Sequence, residues 1–204
     1  MIKHKSFKHG WFYHYRVHNL KTEELCNSRF SKLQNFLEQM FENCPDDYFS
    51  SGPRSSKLTL ELDAQVHEIE GHEVSSLAML GLSSERYRTA HSNVQVFMLE
   101  EDDKTVGVEV PIWLTNDELD DYVELFDSDE PLTGHIDVLR IEDDKIWVWD
   151  FKPNADKEKY ASTQTYFYAL MLSKRTGVPL KNFKCGYFDE NVAYVFDPDG
   201  VKIR

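Results

Sequence analysis

Two apolar segments of this chain, GHIDVLRIE (134–142) and KIWVWDFK (145–152), are separated only by Asp143 and Asp144. Their alternation of apolar and polar residues predicts two strands, and so short a turn makes the strands antiparallel neighbours. Pro153 ends the second strand, because proline has no N–H to donate to a sheet ladder. We therefore expect the core of the protein to be built around this hairpin.

Three ionisable residues lie within this otherwise apolar hairpin. Asp150 and Lys152 are two residues apart and share a face, and antiparallel pairing brings Asp137 to the same end of the sheet. Core packing is a poor explanation, since unpaired buried charges are costly. Carboxylates in this setting favour a hard cation with oxygen ligands, Mg²⁺ or Mn²⁺. Such an ion activates water and neutralises phosphate charge, with Lys152 left to orient that water.

The remaining pattern predicts a mixed α/β protein whose sheet is mostly antiparallel ahead of a crossover helix. Thr22 is a plausible N-cap for the first helix, whereas Gly177 and Pro179 stop the last one. The expected elements are helices over about 22–41, 59–80 and 156–175, a loop at 44–56, and strands at 93–100, 105–114, 183–189 and 192–198.

Composition and charge narrow the functional classes. The sequence has no run of about 18 apolar residues and no secretory signal, so a cytoplasmic protein is expected. The three cysteines form no CxxC pair, which argues against a zinc site or a disulfide framework. The net charge of −13 opposes nucleic-acid binding, yet residues 1–60 carry nine Lys/Arg against six Asp/Glu. The local electrostatic field at a binding site matters more than the net charge of the whole chain.

The first twenty residues contain four Lys/Arg, several aromatic residues and no acidic residue. This composition is typical of a nucleic-acid contact, and equally of a terminal strand packed by its aromatic side chains. The acidic stretch 116–130 is expected to be a solvated loop or helix. Trp147 and Trp149 are expected to pack in the core or at an edge rather than to stack on bases.

The joint pattern resembles the PD-(D/E)XK nuclease superfamily, and especially its RecB-like exonuclease branch. In this resemblance Gly134-His135-Ile136-Asp137 stands for the first acidic motif, and Asp150-Phe151-Lys152 stands for the D/E-x-K element. The branch also carries a Gln with a Tyr four residues later, supplied here by Gln164 and Tyr168 on one helix face. Tyr160 extends that face.

The resemblance implies two further site residues and one absence. A histidine on a preceding helix approaches the metal, for which His67 fits best and His72 less well. An acid lies on the strand before the first motif, for which Glu109 is the candidate metal ligand. Some members of the branch hold an iron–sulfur cluster through one early and three late cysteines. Only Cys185 is late in this chain, so no such cluster is expected.

The resemblance also implies a fold and a function. We expect one domain over 1–204, comprising an N-terminal segment (1–56) and a nuclease core (57–204). The core should be restriction-endonuclease-like, a central mixed β-sheet flanked by helices. The implied activity is Mg²⁺- or Mn²⁺-dependent cleavage of single- or double-stranded DNA in repair or recombination. The resemblance to the RecB-like branch implies that this cleavage is exonucleolytic.

Three questions of partner and activity stay open at this point. The chain has no Walker A motif, so any helicase activity would come from a helicase or recombination partner. A homo-oligomer is equally compatible with the sequence. Two alternatives to a deoxyribonuclease are a catalytically silent member that binds DNA or protein, and a phosphoesterase acting on RNA or a small phosphorylated substrate.

Overall fold

The computed structural model describes residues 1–119 and 128–204, which form an eight-stranded mixed sheet with helices on both faces. The helices are α1 (Asn19–Cys26), α2 (Ser31–Asn43), α3 (Glu73–Ser84), α4 (Ala90–Glu101) and α5 (Ala161–Thr176). The strands are β1 (Ile2–His9), β2 (Trp11–His18), β3 (His67–Glu70), β4 (Thr105–Leu114), β5 (Leu132–Glu142), β6 (Lys145–Phe151), β7 (Phe183–Phe188) and β8 (Val192–Phe196).

The strand order across the sheet is β1-β2-β4-β5-β6-β7-β8-β3. All neighbouring pairs are antiparallel except β6 and β7, which are parallel and are connected through α5. A parallel pair requires such a crossover connection. The expected mixed α/β class, with a restriction-endonuclease-like sheet flanked by helices, is confirmed.

Two apolar layers hold the helices on the sheet. On one face α2 and α5 pack through side chains such as Leu37 and Phe167. On the other face α3 and α4 pack against Trp149 and Phe151 of β6. The aromatic rings of Trp147 and Trp149 stack 5.3 Å apart. Trp149 is buried in the core and Trp147 packs against that core partly buried, in line with the expected core or edge packing. The sheet is therefore covered on both sides beside its central strands.

The strands expected at 105–114, 134–142, 145–152, 183–189 and 192–198 are confirmed as β4 to β8. The crossover helix is also confirmed, although α5 begins at Ala161 because Ala155–Lys157 forms a separate 3₁₀ turn. The first eighteen residues form the hairpin β1–β2. This agrees with the terminal strand that was one of the two interpretations of their composition. The expected loop at 44–56 contains two short 3₁₀ helices, Asp46–Phe49 and Ser55–Lys57.

Three expectations about secondary structure were wrong. The helix expected over 22–41 is two helices, separated where Asn27 adopts a positive φ of 28°. The helix expected over 59–80 is replaced by β3, a turn at Gly71 with φ of 68°, and α3. The strand expected at 93–100 is helix α4, whose N-cap Thr89 accepts a hydrogen bond from the Ser92 N–H at 3.1 Å.

Two further observations concern the acidic stretch and membrane insertion. Residues 120–127 of the acidic stretch lie outside the described part of the chain, and Asn116–Glu118 before them is a 3₁₀ turn capped by Thr115. Among the described residues, no helix has the length and apolar character needed to cross a membrane.

Candidate active site

A cleft of about 470 Å³ lies between α4, α5 and the middle of the sheet. It brings together six of the seven residues expected from the sequence to form the site. They are Glu109 on β4, Asp137 on β5, Asp150 at the end of β6, Lys152 just beyond it, and Gln164 and Tyr168 on α5.

The cleft opens because β5 and β6 separate. Their paired register reaches Val138 and Trp149 and does not continue to Asp137. The backbone N–H of Phe151 donates instead to Oδ2 of Asp137 at 3.0 Å. Because β6 stays paired with β7 as far as Phe151, the separation lies on the β5 side alone. A carboxylate thus replaces a backbone acceptor at the point of divergence and is held in place by it.

Glu109 reaches the same cleft through an irregular backbone. Its φ of +48° is unusual for a residue other than glycine and interrupts the alternation of β4. Val108 packs in the apolar layer of α3 and α4, whereas Val110 packs in the layer of α2 and α5. The carboxylate of Glu109 accepts a hydrogen bond from the N–H of His14 on β2. The side chain is therefore fixed between the N-terminal hairpin and β5.

Gln164 links the D-x-K element to α5. Its side-chain amide donates to Oδ1 of Asp150 at 3.2 Å and to the hydroxyl of Tyr168 at 2.6 Å. Nζ of Lys152 lies 2.8 Å from the other carboxylate oxygen of Asp150. Asp150 is almost fully buried, so both of its oxygens have fixed neighbours. The i and i+4 spacing on α5 is what places Gln164 and Tyr168 on one face.

Gly134 of the first motif has a packing role. A Cβ atom at this position would lie 2.5 Å from Cε1 of Tyr168 and 2.5 Å from Oγ of Ser55. Both contacts are closer than real Cβ atoms approach, so a side chain at 134 would push α5 away from the sheet. The glycine of the Gly-x-x-Asp pattern therefore allows Tyr168 to lie against β5 beside Asp137.

Burial governs the electrostatics of the three carboxyl groups. It raises the pKa of Asp137 to about 6 and, together with the Asp137 charge, that of Asp150 to about 7. Burial raises the pKa of Glu109 as well. Burial alone would lower the pKa of Lys152, but Asp150 and Asp137 outweigh it and raise that pKa. Lys152 is therefore a stable ammonium group. Its positive charge does not fully compensate the negative charge of the neighbouring carboxylates.

The histidine near these acids is His91 rather than His67. His91, the second residue of α4, places Nε2 3.9 Å from Oδ2 of Asp137, and its ring packs edge-on against Phe151. Burial lowers the pKa of His91, which favours the neutral imidazole that binds metals. Sequence reasoning missed this residue because it assigned 93–100 to a strand. The Thr89-x-x-Ser92 N-cap was the signal for a helix there.

The prediction that His67 lies on a helix near the metal was wrong. His67 is an exposed residue of β3, where it pairs with Val195 at the edge of the sheet. Strand β3 is four strands from β5, or about 19 Å at the usual strand spacing. His72 is also excluded as a substitute, because its side chain caps α3 by accepting from the Val74 N–H.

The N-terminal hairpin forms a wall of the cleft that sequence reasoning did not assign to the site. Tyr13 stacks on His135 with ring centroids 3.6 Å apart, and both residues line the cleft. His135 in turn lies 2.8 Å from His9, and His9 lies 2.9 Å from Asp46. Only long-range pairing creates this wall, so the basic and aromatic composition was its one signal in the sequence.

By its chemistry the donor set suits a hard divalent cation. Glu109, Asp137 and Asp150 present carboxylate oxygens from three adjacent strands, β4, β5 and β6, to one cleft. Their raised pKa values show that the surrounding protein does not compensate their full negative charge. Oxygen donors of this kind suit Mg²⁺ or Mn²⁺ better than softer metals.

A family model described as the PD-(D/E)XK nuclease superfamily matches residues 11–202, which includes every residue of the cleft discussed above. No curated protein and no solved structure is significantly similar to the chain. The match identifies no branch within that superfamily.

Proposed function

The chain belongs to the PD-(D/E)XK nuclease superfamily, and on that premise we propose that it is a Mg²⁺- or Mn²⁺-dependent deoxyribonuclease. Membership indicates a metal-dependent nuclease with nucleic acid as its substrate. The observation that supports the more specific proposal is the convergence of Asp137, Asp150 and Lys152 where β5 and β6 separate. In this proposal the three residues are the acids and the lysine that carry out phosphodiester hydrolysis.

We assign the metal-binding role to Asp137 and Asp150, with Glu109 as a third carboxylate. We propose His91, in place of His67, as the histidine near the metal. A divalent cation bound there supplies positive charge for the scissile phosphate and lowers the pKa of a bound water. The Phe151 N–H holds Asp137 in position through its hydrogen bond to Oδ2.

Lys152 acts as a cation in this proposal. Because its pKa is raised, Lys152 does not serve as a general base at neutral pH. Its ammonium group donates hydrogen bonds that orient the attacking water and stabilise charge developing on the phosphate. Gln164 keeps Asp150 and Tyr168 in fixed positions through its two amide hydrogen bonds. Gln164 and Tyr168 are thus positioning residues, with the Tyr168 hydroxyl facing the cleft.

Several finer features belong to the same proposal. Exonucleolytic action follows the resemblance to the RecB-like branch, as do a helicase or recombination partner, a role in DNA repair, and a cytoplasmic location. A homo-oligomer stays a prediction. We further propose that 1–56 and 57–204 form one domain, because β2 pairs with β4 through Arg16 and Val108 in a shared sheet.

The test incubates the purified full chain with end-labelled single- and double-stranded DNA, with Mg²⁺, Mn²⁺ or EDTA. We expect cleavage that depends on the metal and falls by about 10²–10³-fold in Lys152→Ala, the usual effect of removing one charge-stabilising donor. Lys159→Ala is the matched control, since Lys159 is an exposed lysine outside the cleft that pairs with Glu61. A covalently closed DNA circle distinguishes exonuclease from endonuclease activity, because an exonuclease leaves the circle intact.

Three outcomes would contradict the proposal in different ways. Equal activity of wild type and Lys152→Ala would remove Lys152 from the mechanism. Tight DNA binding without cleavage under any metal condition would identify a catalytically silent member. Cleavage of labelled RNA with no effect on DNA would favour the alternative phosphoesterase activity.

A further inference from the structure

Two large aromatic side chains are exposed at the tip of the N-terminal hairpin. Trp11 is 76% exposed and Phe12 is 60% exposed, although the chain has ample core in which to bury aromatic residues. Both line the cleft that contains Asp137 and Asp150. Exposed aromatic residues that border a catalytic cleft indicate a contact with a ligand rather than packing within the protein.

The hairpin tip is a rigid support for these side chains. Strands β1 and β2 pair along their whole length, from Ile2 with His18 to His9 with Trp11. The turn between them is made by Gly10, whose φ of +76° suits glycine. The guanidinium of Arg54 donates to the carbonyls of His9 and Phe49, the latter at 2.9 Å. The base of the tip is thereby tied to the loop beside it.

The charge of the hairpin selects an anionic ligand. Residues 1–18 contain four Lys/Arg and no acidic residue in a chain of net charge −13. Lys8 lies directly opposite Phe12 across the two strands, which places an ammonium-bearing side chain beside the exposed ring. Aromatic platforms next to cations are how proteins hold single-stranded nucleic acid, because every base offers a face for stacking.

We propose that Trp11 and Phe12 form a stacking platform for unpaired bases adjacent to the scissile phosphate. The enzyme should therefore prefer single-stranded DNA, or frayed ends, to fully paired duplex. In a paired duplex the neighbouring base pairs cover both faces of each internal base, so the platform has no free face to contact. This inference rests on the proposed nuclease function for the identity of the ligand as DNA.

The test measures binding separately from cleavage. In a Lys152→Ala background with Mg²⁺, fluorescence anisotropy compares a labelled single strand of about 12 nucleotides with the duplex of the same sequence. Adding Trp11→Ala and Phe12→Ala should weaken single-strand binding by about tenfold or more and duplex binding by less than about threefold. Replacing both residues with tyrosine should restore single-strand binding to within about threefold of the parent, because tyrosine also stacks.

The matched control is Met79→Ala with Leu80→Ala, which removes an exposed apolar pair from α3, outside the cleft. It should leave both affinities unchanged. Thermal melting should give the same midpoint for the parent and the Trp11/Phe12 variant, since both side chains are largely exposed in the folded protein. If the alanine variant melts at a lower temperature than its parent, the tyrosine variant becomes the decisive comparison. Its failure to restore single-strand binding would then overturn the proposal.

The platform is also overturned if the alanine pair binds single strands like its parent, if it loses duplex binding equally, or if the parent binds no DNA. Failure of the nuclease proposal has a different signature. In that case wild type cleaves nothing, yet the alanine pair still loses single-strand binding selectively. Conversely, metal-dependent cleavage with no effect of the alanine pair removes the platform and leaves the nuclease.

Discussion

Asp150 combines near-complete burial with two fixed neighbours and a nearby like charge. Burial and the Asp137 carboxylate raise its pKa from 3.8 to about 7. An acid with a raised pKa destabilises the folded state once it is ionised. In the metal-free protein this penalty is absent below the unfolded pKa and complete above the folded pKa. A cation in the cleft would offset it, so the same residue connects stability to metal binding.

The first prediction concerns Asp150→Asn in EDTA. Because the amide carries no charge, the variant should melt at a higher temperature than wild type at pH 8, by a few degrees. The advantage should vanish at about pH 3, below the unfolded pKa of 3.8, where the wild-type carboxyl is largely protonated in both states. A free-energy gain of about 1–3 kcal/mol corresponds to a shift of this size in a chain of this length. Thermal melts followed by circular dichroism across this pH range measure it.

The control for this prediction is Asp199→Asn, which changes an exposed aspartate and should not alter the melting temperature. Adding Mg²⁺ should raise the melting temperature of wild type at pH 8 and have less effect on Asp150→Asn. A variant that melts lower than wild type at both pH values would show that the ionised carboxylate stabilises the metal-free fold, contrary to the argument.

Single residues differ in how well the sequence could reveal them. Asp137, Asp150 and Lys152 were accessible because one two-residue turn sets their register, whereas Gln164 was implied by the resemblance to the RecB-like branch. Glu109 was likewise implied by the resemblance, as the acid on the preceding strand, although nothing in the sequence indicated its positive φ. His91 was missed because the N-cap at Thr89 was not recognised, and its approach to Asp137 depends on a helix packing against a distant part of the sheet.

At the scale of elements, one buried ionic cluster holds the α3–α4 layer on the sheet. Arg140 of β5 is fully buried and contacts Asp102, at the end of α4, at 2.8 and 3.2 Å. Its guanidinium also donates to Glu73 at the start of α3 at 2.6 Å. Both helices are thus tied to the strand that carries Asp137. The cluster therefore anchors the C-terminal end of α4 to β5.

The second prediction is that Asp102→Ala lowers the free energy of unfolding by about 3–5 kcal/mol, because it leaves a buried guanidinium without its main partner. Urea denaturation followed by tryptophan fluorescence measures the change. Glu100→Ala is the control: Glu100 pairs with Arg86 on the surface, and such pairs contribute about 1 kcal/mol or less. Equal effects of the two substitutions would show that the cluster is not a structural anchor.

The elements that the sequence predicted well are those stabilised by local signals. Strands β5 and β6 show clear alternation around a two-residue turn, and α5 ends at a glycine in the left-handed conformation. Segment 93–100 failed because its valines suit a strand, whereas six of the twelve α4 residues become buried only in the tertiary structure. Segment 59–80 failed at Gly71, whose positive φ makes a turn rather than a bend within a helix.

At the scale of the whole molecule, the site draws on parts of the chain that are far apart in sequence. Its walls come from β2, β4, β5, β6, α4 and α5, and the family match over residues 11–202 spans all of them. The two strands of the hairpin β5–β6 carry ionisable site residues that a short sequence motif reveals. The wall formed by the N-terminal hairpin depends on the pairing of β2 with β4, which no local pattern determines.

The third prediction follows from the overall charge. A molecule of net charge −13 repels DNA at long range, so favourable contacts must be local, through the cleft and the N-terminal hairpin. Each neutralised phosphate contributes about −0.7 to the slope of log affinity against log salt for single strands. Among the described residues, Lys8 and Arg54 are the cations beside the cleft or the hairpin tip that remain once Lys152 is replaced, so we expect a slope no steeper than about −1.4 in Lys152→Met.

Anisotropy titrations of Lys152→Met with a labelled single strand, at constant Mg²⁺ and about 50 to 200 mM NaCl, measure this slope. Lys8→Met should make the slope shallower by about 0.7 if its ammonium contacts one phosphate, whereas Lys159→Met should leave it unchanged. A slope steeper than about −4 would require more phosphate contacts than these cations supply. Such a slope would place the DNA-binding surface elsewhere. It would contradict a path of the bound strand from the hairpin tip into the cleft.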